Sequence, residues 1–182
     1  MSRDHPDAAR RGVTAFTTDP APAPRWAVLA AHAAALTTVP SGLWRIALGL
    51  GLPVGYSHDV LRDSFHIPGW GIVYVIGLSV VSEALALLTL GLVRPWGEVV
   101  PRWIPVLGGR RVRPLAAVIP AALGAVALTV IWSGFPLWWT VEHRPAFSGP
   151  WRDIVGVLYQ PLVLWGPLLA AVTFSYYRRH RR

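Results

Sequence analysis

The chain has 182 residues, of which 53% are hydrophobic and only 14% are charged, whereas an ordinary soluble domain carries about 25% charged residues. A soluble protein of this length cannot bury so many apolar side chains, so composition excludes a soluble globular domain. The chain contains no cysteine, which excludes a disulfide framework, a thiolate metal site and thiol redox chemistry.

The order of apolar and polar segments predicts the architecture. Residues 1–25 carry charges and prolines but few large apolar groups, so they predict a disordered tail. Apolar segments of about 20 residues cross a bilayer core of about 30 Å, and four such segments follow, at about 26–52, 70–93, 115–139 and 153–177. We therefore predict an all-α fold, an integral membrane bundle of four transmembrane helices over 26–177, with a basic tail at 178–182.

The distribution of charge predicts the orientation of this bundle. All 17 basic residues are arginines; thirteen lie in the two tails and the second loop, three lie in the first and third loops, and Arg45 lies within a span. Arginine-rich short loops stay in the cytoplasm, so both termini are expected to be cytoplasmic. The net charge of +8 is thus mainly a topology signal, and it gives no support for a nucleic-acid partner.

The same features predict the location of the protein. Exclusive use of arginine and abundant alanine are typical of a high-GC genome, so we expect a multi-pass protein of a bacterial plasma (inner) membrane. A cleaved signal peptide ending near Ala33 is the competing interpretation. It is disfavoured because the apolar sequence continues to Val54 and because the preceding charged region would be unusually long.

Glu83 is the acidic residue expected nearest the membrane midplane. A helical rise of about 1.5 Å per residue places it ~15 Å from the inner boundary. An acid at that depth is costly and normally faces the protein interior, protonated or paired. Its candidate partners are His32, Thr37, Thr38, Tyr159 and Gln160. Glu83 and His32 are accordingly the candidate catalytic residues, and hydrogen-bonded packing between helices is the structural alternative.

Arg45 is expected near the outer surface, ~28 Å from the inner boundary by the same count. It can extend its charge to the interface or pair with Asp153 at the start of the fourth segment, and binding of a substrate anion is the sharper alternative. Arg45, Asp153 and Gln160 are therefore candidate binding residues. Straight helices would hold Arg45 and Glu83 too far apart for a direct pair.

The first outer loop holds a weak candidate for a metal site. On a short helix, Asp59, Asp63 and His66 would share one face, and carboxylate and imidazole groups bind zinc and similar ions. No specific metal motif is present. Leu61 and Phe65 favour an ordinary amphipathic turn at the interface equally well, so no metal is assigned.

The cytoplasmic loop 94–114 mixes tryptophan, proline and arginine. Such a loop is expected to lie in the headgroup layer, with Arg110, Arg111 and Arg113 against anionic lipid phosphates. A phosphate-bearing substrate is the alternative partner.

The sequence does not identify an activity or a cofactor, and it leaves open whether the protein is an enzyme. The leading hypothesis is a membrane protein that binds a partner protein or a hydrophobic ligand. One alternative is an intramembrane acid–base enzyme, of the isomerase or cyclase type, that uses Glu83 on a lipophilic substrate. Another is an oligomeric transport component. Four spans in one chain are too few to form the two halves that move against each other in alternating access, so several copies would be needed.

Overall fold

The computed structural model describes residues 22–97, 109, 112–142 and 147–181. These residues form seven α-helices: α1 (Arg25–Thr37), α2 (Val39–Gly49), α3 (His58–Asp63), α4 (Trp70–Gly91), α5 (Pro114–Ser133), α6 (Trp151–Tyr159) and α7 (Trp165–His180). They also form three short 3₁₀ helices at Pro95–Gly97, Phe135–Thr140 and Gln160–Leu164. The described part of the chain contains no strand.

Four stretches of helix are long and apolar enough to cross a membrane, as the sequence predicts. They are span 1 (Arg25–Gly49), span 2 (Trp70–Gly91), span 3 (Pro114–Thr140) and span 4 (Trp151–His180). Residues 1–21 of the predicted tail 1–25 lie outside the described residues. Arg25, predicted to be the last residue of that tail, is instead the first residue of α1.

The spans lie side by side in a row instead of closing into a ring. Span 2 packs on span 1, span 1 on span 4, and span 4 on span 3, whereas α4 and α5 share no packed interface among the described residues. The exposure of side chains on α4 and α5 is consistent with positions at the two edges of the row. In α5 only Ala125 is buried, and in α4 the buried residues include Val75, Ser79 and Ala86. The all-α fold with four long apolar helices is thus as predicted, and the described spans pack in the order 2-1-4-3.

Prolines interrupt two of the spans. Pro40 has no N–H to donate to the carbonyl of Leu36, and the helix breaks at Thr38, between α1 and α2. Pro161 begins the turn of 3₁₀ helix that divides span 4. Pro120, in contrast, lies inside an uninterrupted α5. Spans 1 and 4 are thus each divided into two α-helices.

Small residues allow the central spans to approach closely. Ala27, Ala31 and Ala34 are fully buried on one face of α1. A Cβ added to Gly166 of α7 would meet the backbone nitrogen of Thr129 at 2.6 Å, so α5 and α7 touch there without a side chain between them. Close backbone approach of this kind is how helices associate where lipid removes the hydrophobic driving force.

The molecule has two distinct ends. The described chain enters span 1 and leaves span 4 at the same end, which we call the terminal end, where Ala27, Leu92 and Tyr176 share one buried cluster. The opposite end, called the distal end, holds residues 50–69 and 147–150. Its two loops are joined because the Ser148 amide donates to the Gly55 carbonyl at 2.9 Å.

A buried guanidinium and an interhelical carboxyl as the candidate functional site

Arg45 lies on the face of α2 that packs on α4, and only 8% of it is exposed. Its Nε donates to Oγ of Ser79 at 3.0 Å, and the Ser79 hydroxyl in turn donates to the carbonyl of Val75. Nη1 lies 3.5 Å from the hydroxyl of Tyr159, at the long limit of a hydrogen bond. Nη2 is buried and has no hydrogen-bond partner in the described part of the chain.

No carboxylate neutralises this guanidinium within the described residues. The ion pairs there join Arg62 to Asp59 and to Asp63. The predicted Arg45–Asp153 pair is therefore wrong: Asp153 lies in the exposed first turn of α6, whereas Arg45 is directed towards α4 and Tyr159. A buried cation without a counter-charge is costly, because burial removes its water and nothing of opposite sign replaces it.

Tyr159, the aromatic residue beside this guanidinium, belongs to a closed set of ring contacts. Six rings contact one another in a closed loop, with centroid separations between 4.7 and 6.4 Å. The order of contact is Tyr159, Trp44, Tyr56, Phe147, Trp138, Phe135 and back to Tyr159. We call these six residues the aromatic circuit. The Cζ of Arg45 lies 5.8 Å from the centroid of Tyr159, within cation–π range.

Backbone hydrogen bonds fix two members of the aromatic circuit. Trp44 Nε1 donates to the carbonyl of Val54 at 3.1 Å, and Trp138 Nε1 donates to the carbonyl of Arg152 at 3.2 Å. Gly156 leaves space for Trp138, since a Cβ there would meet the indole nitrogen at 2.7 Å. The circuit thus joins α2, both distal loops and span 4 into one apolar wall.

Glu83 occupies the same helix interface one turn from Ser79. Its Oε2 accepts a hydrogen bond of 2.9 Å from the hydroxyl of Thr38, the residue at which span 1 breaks. A Cβ on Gly42 would lie 2.9 Å from Oε1, so this glycine provides the space for the carboxyl. The predicted partnership of Glu83 with Thr38 is confirmed.

The Thr38 hydroxyl has two acceptors but a single hydrogen. It lies 2.9 Å from Glu83 Oε2 and 3.0 Å from the carbonyl of Ala35. A protonated Glu83 can donate to Thr38 while Thr38 donates to Ala35, and an ionised Glu83 can accept from Thr38. Both charge states of the carboxyl therefore fit this geometry.

These groups form one continuous strip of polarity between spans 1 and 2. Thr38, Ser41 and Arg45 repeat at helical spacing on span 1, and Ser79 and Glu83 face them from α4. We call these five residues the polar seam. All except Glu83 are buried in the protein, so this contact places one charged and three hydroxyl side chains in the interior.

The other predicted partners of Glu83 lie elsewhere. His32 is exposed on α1, and its Nδ1 lies 2.7 Å from the carbonyl of Val28 on the same helix. Gln160 is exposed at the start of the 3₁₀ helix in span 4. Tyr159 contacts Arg45 instead of Glu83. The structure thus brings neither His32 nor Gln160 to the polar seam.

The candidate metal residues of the first distal loop do not share a face. Helix α3 ends at Asp63, and His66 lies beyond it with a left-handed φ of 56°. The two aspartates flank Arg62. Among the residues that the structure describes, no group of three histidine or acidic side chains is placed to hold a metal ion.

The predicted lipid-binding arginines of the 94–114 loop are only partly described. Arg110 and Arg111 lie outside the described residues. Arg113 is exposed and immediately precedes α5, so it is the one member of the group whose position is defined.

Burial in the aromatic circuit raises the pKa of Tyr56 from 10.0 to about 12, and the negative charge of an ionised Tyr159 adds to this effect. The neutral phenol is therefore favoured in the folded state, and its contribution to stability should be lost as the pH rises from about 10 through about 12. Subtracting the alkaline absorbance titration of Tyr56→Phe from that of the wild type should isolate a step near pH 12. A midpoint near 10 would contradict the buried position.

Sequence reasoning missed Ser79 and most of the aromatic circuit. The spacing of Ser79 and Glu83 on span 2, matched by Thr38, Ser41 and Arg45 on span 1, could have identified two polar faces. No sequence signal pairs Phe147 with Tyr56, because loop contacts depend on the tertiary fold.

Comparisons with protein-family models, with curated proteins and with solved structures found no match for this chain.

Proposed function

We propose that this chain is a membrane protein that binds an anionic amphiphile, with Arg45 as the partner of the acidic group and the aromatic circuit as the apolar wall. The observation that carries the proposal is the buried Nη2 of Arg45, which has no hydrogen-bond partner. A carboxylate or phosphate bound there would supply both the missing acceptor and the missing counter-charge.

The acidic residues that the structure describes do not offer a substitute for such a ligand. Of the nine acidic residues, five are described, and none lies within 4 Å of Arg45. An external anion is therefore the counter-ion that we propose.

The ligand is expected to be lipophilic because of what lies around the guanidinium. Trp44 and Tyr159 provide aromatic surface beside Arg45, and the residues of α2 that point away from the protein, such as Leu43 and Ile46, are apolar and exposed. A ligand with a single acidic group on a hydrocarbon chain or ring system would place the acidic group at Arg45 and the hydrocarbon against the apolar side chains.

We further propose that the four spans cross a bacterial plasma membrane with both termini in the cytoplasm. The support is the bias of thirteen arginines against three, together with four helices of sufficient length and apolarity. In this orientation the distal end, with Arg45 and the aromatic circuit, faces outward. The ligand would then enter from the outer leaflet.

Labelling of single cysteines tests this orientation, because the native chain contains none. Ser64→Cys and Val141→Cys should react with an impermeant thiol reagent on intact cells, since both positions are exposed at the distal end. Gly108→Cys should react only after the cells are opened. The reverse pattern would invert the topology.

Binding of a matched pair of probes tests the ligand proposal. Purified protein should bind a brominated long-chain fatty acid, detected by quenching of tryptophan fluorescence, more tightly than the corresponding fatty alcohol. Arg45→Gln should reduce binding of the acid by tenfold or more, as expected for a loss of about 1.5–3 kcal/mol from a charged hydrogen bond.

Arg62→Gln is the control, because it removes an exposed arginine from the same end of the molecule. It should leave binding of the fatty acid unchanged. Equal binding of acid and alcohol by the wild type, or equal losses in the two variants, would refute a role for Arg45 in anion binding.

A further inference from the structure

A second candidate site lies between α5 and α7, at the other edge of the row from the polar seam. The two helices leave a groove of about 450 Å³ that opens away from the protein. On α5 the groove runs from Val118 to Val130, a length of about 18 Å. It therefore has the proportions of a slot for one extended hydrocarbon chain.

The interior of this groove offers nothing to a polar ligand. Its lining is apolar apart from Thr129, Thr173 and the phenol of Tyr177. The hydroxyls of Thr129 and Thr173 each donate to a carbonyl of their own helix at 2.7 Å. With these donors already used, the groove can recognise only hydrocarbon along most of its length.

Two arginines stand at the terminal end of the groove. Phe174 and Tyr177 form part of its lining; the Cζ of Arg178 lies 5.6 Å from the Phe174 ring, and the Cζ of Arg181 lies 5.7 Å from the Tyr177 ring. Neither guanidinium has a carboxylate within 4 Å among the described residues. The rings that line the groove thus hold two unneutralised cations at its mouth.

We infer that this groove binds one acyl chain of an anionic phospholipid, with the lipid phosphate at Arg178 and Arg181. The two arginines lie at one end of the apolar groove, just as the charged headgroup of a phospholipid lies at one end of its acyl chain. A second copy of the protein fits less well, because a parallel twofold dimer through this face would bring the same arginines of both copies together. The inference does not depend on ligand binding at Arg45.

Native mass spectrometry of the delipidated full-length protein, with phosphatidylglycerol and phosphatidylcholine of identical chains added back, tests the site. We expect one tightly held lipid per chain, with a preference for phosphatidylglycerol of about thirtyfold if each arginine contributes about one kcal/mol. The double variant Arg178→Gln/Arg181→Gln should lose this preference but still retain lipid of both kinds.

Filling the groove tests the chain-binding part separately. Ala122→Trp places a bulky side chain in the groove and should lower retention of both lipids at least tenfold. Ala84→Trp, on the exposed face of α4, adds the same bulk elsewhere and should not.

Three results would overturn the inference: equal retention by Ala122→Trp and the wild type, a preference for phosphatidylglycerol that survives loss of both arginines, or a wild-type dimer that Ala122→Trp converts to a monomer. The last would assign the groove to a second copy of the chain.

Discussion

Replacing Arg45 with methionine should raise the thermal stability of the ligand-free protein and abolish its binding of the anionic amphiphile. Among the residues that the structure describes, the buried guanidinium has no counter-charge, and its Nη2 has no hydrogen-bond partner. Replacing buried charged groups by apolar side chains of similar volume is often neutral or stabilising, by about 1–4 kcal/mol. Methionine is long and adaptable enough to occupy the space. Thermal denaturation in detergent, without and with the brominated fatty acid, measures both effects.

Ser79→Ala provides the matched control for this prediction. In the wild type it removes the acceptor of Arg45 Nε and should destabilise the protein by about 1–3 kcal/mol, because a further buried charged donor loses its partner. In the Arg45→Met background the same change should be nearly neutral. The two substitutions should therefore be strongly non-additive.

A large loss of stability in Arg45→Met would contradict the proposed function. It would show that the contacts with Ser79 and Tyr159 outweigh the cost of burying the charge, and that Arg45 clamps spans 1, 2 and 4 together. A gain of stability with loss of binding is the pattern expected where a protein retains a costly group for a ligand.

The four long helices could be predicted from sequence because hydrocarbon thickness fixes their length. Their order in the row could not. An apolar residue facing lipid and one facing another helix look alike in sequence: Val130 of α5 is exposed, whereas Val172 of α7 is fully buried. The composition of α5 gives no sign that it is an edge helix with one neighbour.

The depth count predicted that Arg45 and Glu83 are too far apart for a direct pair, and among the described residues Arg45 bonds Ser79 while Glu83 bonds Thr38. Counting along straight helices separated the two residues by about 13 Å. In the structure Arg45 bonds Ser79, one turn or about 6 Å along α4 from Glu83. The distal loops, which supply Tyr56 and Phe147, could not be positioned by a depth count at all.

Glu83→Gln should leave both stability and binding at Arg45 unchanged if the carboxyl is neutral in the native protein. The amide keeps an acceptor for the Thr38 hydroxyl and a donor, as a protonated carboxyl does. An ionised Glu83 would instead weaken binding of an anion at Arg45, because the two negative charges repel. At a separation of about 8 Å and an effective dielectric constant of about 20, this repulsion is about 2 kcal/mol. We expect the wild type and Glu83→Gln to bind the fatty acid with affinities within about twofold of each other. A tightening of tenfold or more in Glu83→Gln would show that the carboxyl is ionised.

Gly42→Ala tests whether the position of the Glu83 carboxyl, and not only its presence, contributes to stability. The added Cβ would lie 2.9 Å from Glu83 Oε1, so the side chain must move away from Thr38. We expect a loss of about 1 kcal/mol from the broken hydrogen bond, and little or no loss when the same change is made in Glu83→Ala. Equal effects in the two backgrounds would show that Gly42 serves backbone packing alone.

The same glutamate decides between ligand binding and acid–base catalysis. A proton-transferring residue must ionise, and glutamine cannot. If the protein binds a ligand without chemistry, Glu83→Gln should restore the phenotype of a deletion strain as fully as the wild type does. Glu83→Leu should restore it less well, because it removes the hydrogen bond that joins α4 to span 1 at Thr38. Failure of Glu83→Gln to complement, at wild-type stability and with binding of the fatty acid intact, would instead assign Glu83 to an acid–base reaction on a lipophilic substrate.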